Sequence, residues 1–72
     1  MAKEFRKPDF SNAEIELRYE NGIVCIYGTA KGLKKIADFC IELVGNPSEG
    51  HIHLEDYQIL TKASEKGAIA IF

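Results

Sequence analysis

The sequence predicts an α+β fold with the element order ββαββ, in which one helix packs on one face of a four-stranded sheet, mixed or antiparallel. Three features predict it: alternating segments on both sides of an Asn-Gly pair, an apolar stripe at helical spacing, and two further short alternating segments. We expect residues 1–12 to form a flexible or loosely docked arm and residues 13–72 to form a single domain.

The first two strands are predicted to form a hairpin around Asn21-Gly22. Asn and Gly tolerate positive φ at both central positions of a type I′ turn, and a two-residue loop pairs Tyr19 with Val24. This register divides the side chains between two faces. The predicted core face carries Ile15, Leu17, Tyr19, Val24 and Ile26. The other face carries Ile23, Cys25 and Tyr27 beside Glu16, Arg18 and Glu20.

A helix is predicted over Ala30–Val44. Thr29 is a suitable N-cap, and Gly45 before Asn46-Pro47 predicts a left-handed stop. Apolar residues recur at steps of three and four and predict one buried stripe: Leu33, Ile36, Ala37, Cys40, Leu43 and Val44. Phe39, at the flank of this stripe, is expected to pack against a loop such as residues 57–60.

Two further strands are predicted after the helix. His51–Glu55 alternates, with Ile52 and Leu54 as core residues, and Ala68–Phe72 alternates at the end. The connection over residues 56–66 is expected to place one or two apolar side chains under the sheet edge. In the last strand, either Ile69 and Ile71 or Ala70 and Phe72 face inward.

One helix covers only one face of a four-stranded sheet, so the opposite face is expected to be open within the monomer. By the alternation, this face carries Ile23, Cys25, Tyr27, His51, His53, Ala68, Ala70 and Phe72. An apolar face that also bears imidazoles usually meets a partner. A second copy, another protein or the N-terminal arm could cover it.

The composition narrows the function classes. The net charge of −2 supplies no positive field to attract nucleic acid. The longest apolar run, Ile23–Tyr27, is far too short to cross a bilayer, and the N-terminus is charged rather than apolar. We therefore predict a cytoplasmic protein that binds neither nucleic acid nor membrane.

His51, His53 and Glu55 form the set whose spacing best suits a metal ion. Alternate residues of a strand project from the same face, and two imidazoles with a carboxylate form a recognised metal geometry, to which Cys25 could add a soft ligand. Because short HxH segments are common by chance, the sequence favours a polar or partner-binding face. Metal binding remains an alternative, and no cofactor is predicted.

The remaining sequence features do not indicate an enzyme. Cys25 and Cys40 match neither a zinc-ribbon nor a CxxC spacing and are predicted to be reduced and structural, with a disulfide between them as the alternative. Thiol catalysis would need an orienting group and a pocket that a flat sheet face does not provide. The segment Gly28–Gly32 lacks phosphate-loop spacing.

Two segments resemble one protein family. The helix opening reads GTAKGLKKIA over Gly28–Ala37, and the third strand reads HIHLE over His51–Glu55, followed by a closing aliphatic strand. Together these segments resemble the immunity protein 32 family of bacterial polymorphic toxin systems, and the resemblance covers residues 23–72. Ile36 stands where the family usually has leucine, and Glu55 where aspartate is more typical.

The resemblance implies a cytoplasmic inhibitor that binds and neutralises a cognate toxin without chemistry of its own. His51, His53 and Glu55 occupy the motif positions of the family. We therefore predict a non-enzymatic protein-binding module. Its predicted contacts are Cys25, Tyr27, His51, His53, Glu55 and Phe72. The alternatives are a small metal-binding protein that uses the histidines and Glu55, and a homodimerising structural domain.

Overall fold

A computed structural model describes residues 7–72 of the chain. The elements are β1 (Ile15–Glu20), β2 (Ile23–Gly28), α1 (Ala30–Gly45), β3 (His51–His53) and β4 (Ala68–Ala70), with short 3-10 turns at Pro47–Glu49 and Leu54–Tyr57. The predicted α+β class is confirmed, and the helix and strands follow in the predicted order. The predicted N-terminal arm lies partly outside the described residues, and residues 7–12 contain neither helix nor strand.

The strands form two separate antiparallel sheets, β1–β2 and β3–β4, so the predicted single four-stranded sheet is not confirmed. The reason lies at the outer edge of β1, which the connection between β3 and β4 occupies. There the Thr61 N–H donates to the Ile15 carbonyl at 2.9 Å, and the Glu65 N–H donates to the Leu17 carbonyl at 2.9 Å. Because this edge is already paired, neither β3 nor β4 joins the hairpin there, and the two strands pair with each other.

The predicted hairpin and its register are confirmed. Asn21 and Gly22 have φ values of 53° and 78°, as a type I′ turn requires. Tyr19 pairs with Val24, and the register continues to Ile15 opposite Gly28. The local turn chemistry therefore fixes which side chains share a face.

The predicted helix is also confirmed, with one change at its end. The Thr29 hydroxyl accepts a hydrogen bond from the Gly32 N–H at 3.0 Å, as an N-cap should. The left-handed stop predicted at Gly45 is wrong, because Gly45 is the last helical residue and its φ is not positive. Asn46 instead leaves the helix with φ −142° and ψ 71°, outside the helical region that a following proline disfavours.

The helix packs through a stripe that is rotated from the predicted one. Its most buried positions are Gly32, Ile36, Phe39 and Leu43, spaced by four, three and four residues. Four members of the predicted stripe are exposed instead: Leu33, Ala37, Cys40 and Val44. Phe39 packs against Tyr57 with ring centroids 4.7 Å apart, which confirms the predicted loop contact.

The core lies where the start of β1 meets the segment after β3. Ile15, Leu17, Leu54 and Ile59 form the buried cluster. Partly buried side chains pack against it: Ile36, Phe39, Leu60 and Ile69. The predictions that Leu54 belongs to the core and that the connection buries an apolar side chain, Ile59, are confirmed.

Burial decreases along the hairpin towards its turn. Ile15 is fully buried, whereas Tyr19, four residues further along on the same face, is 66% exposed. Val24 and Ile26, which share this face, are 74% and 52% exposed. The prediction that Tyr19, Val24 and Ile26 belong to the core is therefore wrong, although the face they share is as predicted.

The attachment of the helix explains this decrease. The α-carbon of Gly32 lies against the backbone carbonyl of Glu14, directly before β1. Lys35 Nζ lies 2.6 Å from Glu14 Oε1 and reinforces the same joint. Since α1 is fastened at this end, Ile15 is covered while the residues near the turn stay open.

Candidate functional site

The outer face of the β3–β4 sheet consists of His51, His53, Ala68 and Ala70, and all four residues are exposed. The antiparallel register places His51 opposite Ala70 and His53 opposite Ala68. Ile52 and Ile69 pair on the other face, where Ile52 is buried. The predicted alternation is thus confirmed over His51–His53 and Ala68–Ala70, with Ile69 inward and Ala70 outward, but each strand ends two residues earlier than predicted.

The two imidazoles and Glu55 are close together. The His51 and His53 ring centroids are 4.8 Å apart with the rings perpendicular. His53 Nδ1 lies 3.2 Å from Glu55 Oε2, and the Gly67 N–H donates to Glu55 Oε1 at 3.4 Å. The pKa of the Glu55 carboxyl is lowered by its own backbone N–H, then by the Gly67 N–H and the nearby His53. Glu55 thereby orients one imidazole of the outer face.

This arrangement does not assemble a metal site within the described part of the chain. Across residues 7–72, no three His, Cys, Asp or Glu side chains are placed to hold one ion together. Cys25, the additional ligand considered from the sequence, lies in the other sheet. The metal-binding alternative therefore depends on His51, His53 and Glu55, and the Glu55 carboxylate already pairs with His53.

Phe72 is fully exposed and follows β4 by two residues. A phenylalanine side chain in water offers a large apolar area to a partner. Phe72 therefore provides an exposed apolar side chain just after the end of β4, the strand that carries Ala68 and Ala70.

The structure does not bring Cys25 and Tyr27 onto the same sheet as the histidines. Both are half-buried in β2. The Arg18 guanidinium stacks over the Tyr27 ring, with its carbon 4.5 Å from the ring centroid, and the Tyr27 hydroxyl donates to Glu20 Oε1 at 3.4 Å. Burial raises the pKa of the Tyr27 hydroxyl. The predicted single contact surface is therefore divided between two sheets.

The prediction that Glu16 and Arg18 rim an open face is wrong, since both are buried. Arg18 Nε pairs with Glu16 Oε2, and this hydrogen bond is the main reason that the pKa of Arg18 is raised. The Thr61 hydroxyl donates to Glu16 Oε1 at 2.7 Å. The connection between β3 and β4 supplies Thr61, and it therefore covers the hairpin face that alternation assigns to solvent.

A groove of about 660 Å³ opens between the hairpin, α1 and β4. We call it the hairpin groove, and its apolar lining includes Leu17, Tyr19, Val24, Ile26, Ile36 and Cys40. Sequence reasoning missed it, because alternation shows which way a side chain points but not whether the helix reaches it. Gly32 permits a close contact at one end of the helix, but the sequence does not show which backbone it contacts.

The chain is thus a small α+β protein with an open sheet face and an apolar groove. No family model, no curated protein and no solved structure matches it. Within residues 7–72, no helix combines the length and the apolar character that crossing a membrane requires.

Proposed function

We propose that this chain is a non-enzymatic protein-binding module that neutralises a cognate toxin domain in the bacterial cytoplasm, as the resemblance to the immunity protein 32 family implies. The observation that carries the proposal is the open outer face of β3–β4. On this face the imidazoles of His51 and His53, in the HIHLE segment, are exposed to solvent. The exposed Phe72 follows β4 by two residues.

The chemistry of this face suits a protein partner. Aromatic side chains dominate binding energy in interfaces, because they bury a large area with few rotatable bonds. Glu55 holds the His53 ring at 3.2 Å, so this ring loses little conformational freedom on binding. His51, His53, Glu55 and Phe72 are therefore the central contacts of the proposed surface.

Cys25 and Tyr27 have a secondary place in the proposal. They lie on β2, and the Tyr27 ring already stacks with Arg18 at 4.5 Å. A partner that reached them would have to span both sheets. Substitutions at these positions should therefore affect binding less than substitutions at His53 or Phe72.

The test is binding to the toxin domain encoded next to the gene of this chain, measured by titration calorimetry and by growth of cells that express the toxin. His53→Ala and Phe72→Ala are each expected to weaken binding about tenfold or more. Lys34→Ala is the matched control, because Lys34 is exposed on α1 and pairs with Asp38 in the same helix. Unchanged affinity in both site variants, or no binding by the wild type, would contradict the proposal.

A further inference from the structure

Within residues 7–72, no backbone segment pairs with the outer edge of β2. In a hairpin with a two-residue loop, the peptide groups of Ile23, Cys25 and Tyr27 face β1, and those of Val24 and Ile26 face away. Within the described part of the chain, the backbone groups of Val24 and Ile26 form no hydrogen bond across that edge. They are ready to pair with another strand.

Proteins usually protect such an edge with a charge, a proline, a bulge or a covering segment. The strand reads IVCIYG and contains neither charge nor proline, and its pairing with β1 is regular. Ile23 is 60% exposed, in addition to the exposed Val24 and Ile26 on the opposite face of the strand. An edge that is both apolar and unpaired is expected to be covered in solution.

The small core indicates what covers it. Among residues 7–72, the buried hydrophobic side chains are Ile15, Leu17, Leu43, Ile52, Leu54 and Ile59. A chain below about 80 residues rarely gains much stability from its core alone, and oligomerisation is a common way to add burial. A second copy of the same chain is always available as a partner, at the same concentration as the chain itself.

We propose that two copies pair β2 with β2 in the antiparallel sense, around a two-fold axis that passes beside Cys25. This register sets Val24 opposite the partner's Ile26, and each such pair exchanges two backbone hydrogen bonds. It also sets Ile23 opposite the partner's Tyr27, so every apolar residue of the strand meets another. The two hairpins then form one continuous four-stranded sheet.

The exposed area is consistent with a modest dimer. Edge pairing covers exposed side chains only in part, so the exposed parts of Tyr19, Ile23, Val24 and Ile26, on the order of 450 Å² per chain, are an upper limit, compared with about 800 Å² per partner in a standard interface. The dimer is therefore expected to dissociate at micromolar dilution. The interface does not use the outer face of β3–β4, which carries the central contacts of the proposed function, and it shares with that proposal the secondary contacts Cys25 and Tyr27.

The first experiment uses sedimentation velocity over a range of dilutions of the full chain. The wild type is expected to shift from dimer to monomer, and Ile26→Lys, which places a charge at the edge, is expected to be monomeric throughout. Ile41→Lys is the control and is expected to dimerise like the wild type, since Ile41 is an exposed apolar residue on α1. A wild type that is monomeric at every concentration overturns the inference, as does a dimer that persists in Ile26→Lys.

The second experiment tests the register and does not depend on the folding of Ile26→Lys. In a Cys40→Ser chain, Cys25 is the only thiol, and the proposed axis places its α-carbon about 4.5 Å from that of the partner's Cys25. Copper phenanthroline with oxygen takes two electrons and two protons from the two thiols, and a disulfide-linked dimer is expected at dimerising concentrations. A dimer that forms no such cross-link overturns the proposed axis.

Discussion

Gly32 lies so close to the backbone carbonyl of Glu14 that a β-carbon at position 32 would overlap the carbonyl oxygen. The same carbonyl accepts a hydrogen bond from the Thr29 N–H at 3.0 Å. Two successive parts of the chain, the N-cap and the first turn of α1, therefore meet one peptide group before β1. This joint decides how the helix lies on the hairpin.

Gly32→Ala is expected to lower the free energy of unfolding by about 1–3 kcal/mol, because the added methyl group meets backbone that cannot rotate away. Urea denaturation measures this loss. The control is Gly45→Ala, where a β-carbon would meet nothing within 4 Å. It should leave stability unchanged or raise it by up to about 1 kcal/mol through helix propensity. A Gly32→Ala variant as stable as the wild type would show that the joint is not tight.

The rotated helix stripe gives a second prediction. Leu43 is 2% exposed and Ile41 is 69% exposed. Leu43→Ala is expected to cost about 2–5 kcal/mol, since it leaves a cavity in the interior. Ile41→Ala should change stability by less than about 0.5 kcal/mol. Equal losses in thermal or urea unfolding would contradict the observed orientation of the helix.

The elements could be predicted because their signals are local. Asn21-Gly22 determines the turn within two residues, and Thr29 determines the start of the helix within four. The rotation of the helix could not be predicted in this way. It depends on the contact between Gly32 and Glu14, and a glycine in a helical segment does not show which backbone it will approach.

The same distinction between local signals and long-range contacts applies to the candidate site. The exposure of His51 and His53 follows from strict alternation in a short strand with one covered face. The burial of Glu16 follows from Thr61, which is 45 residues away in the chain and donates to its carboxylate. Alternation contains no information about that segment, so the predicted open face was correct for β3–β4 and wrong for part of the hairpin.

The buried pair of Glu16 and Arg18 gives a third prediction. Glu16→Gln removes the nearest counter-ion of a guanidinium whose side chain is only 5% exposed and leaves it the longer contact with Glu20 at 3.6 Å, and a buried charge that loses its main partner is costly. Its unfolding midpoint is therefore expected to fall further than that of Glu14→Gln, whose partners are more exposed. The double variant Glu16→Gln/Arg18→Gln should recover part of the loss. If the double variant loses as much stability as the two single variants together, or more, the two side chains do not act as a pair.

The joint between helix and hairpin also predicts an acid dependence. The hydrogen bond from Lys35 is the main reason that the pKa of Glu14 is lowered from its ordinary value of 4.5. Because the folded pKa lies below the unfolded one, the stabilisation is present above about pH 4.5 and is lost as the pH falls through the folded pKa. Glu14→Gln should therefore show a smaller loss of unfolding free energy between pH 7 and about pH 3 than the wild type.

Lys35→Gln provides the matched comparison for Glu14→Gln, since it removes the other half of the 2.6 Å pair. Each single variant should flatten the pH profile, and the double variant should flatten it no more than either one, because both remove the same interaction. Urea denaturation at several pH values measures all four proteins. An unchanged profile in Lys35→Gln would show that Lys35 does not stabilise the Glu14 carboxylate, and that the joint depends on the backbone contacts of Gly32 and Thr29 with Glu14.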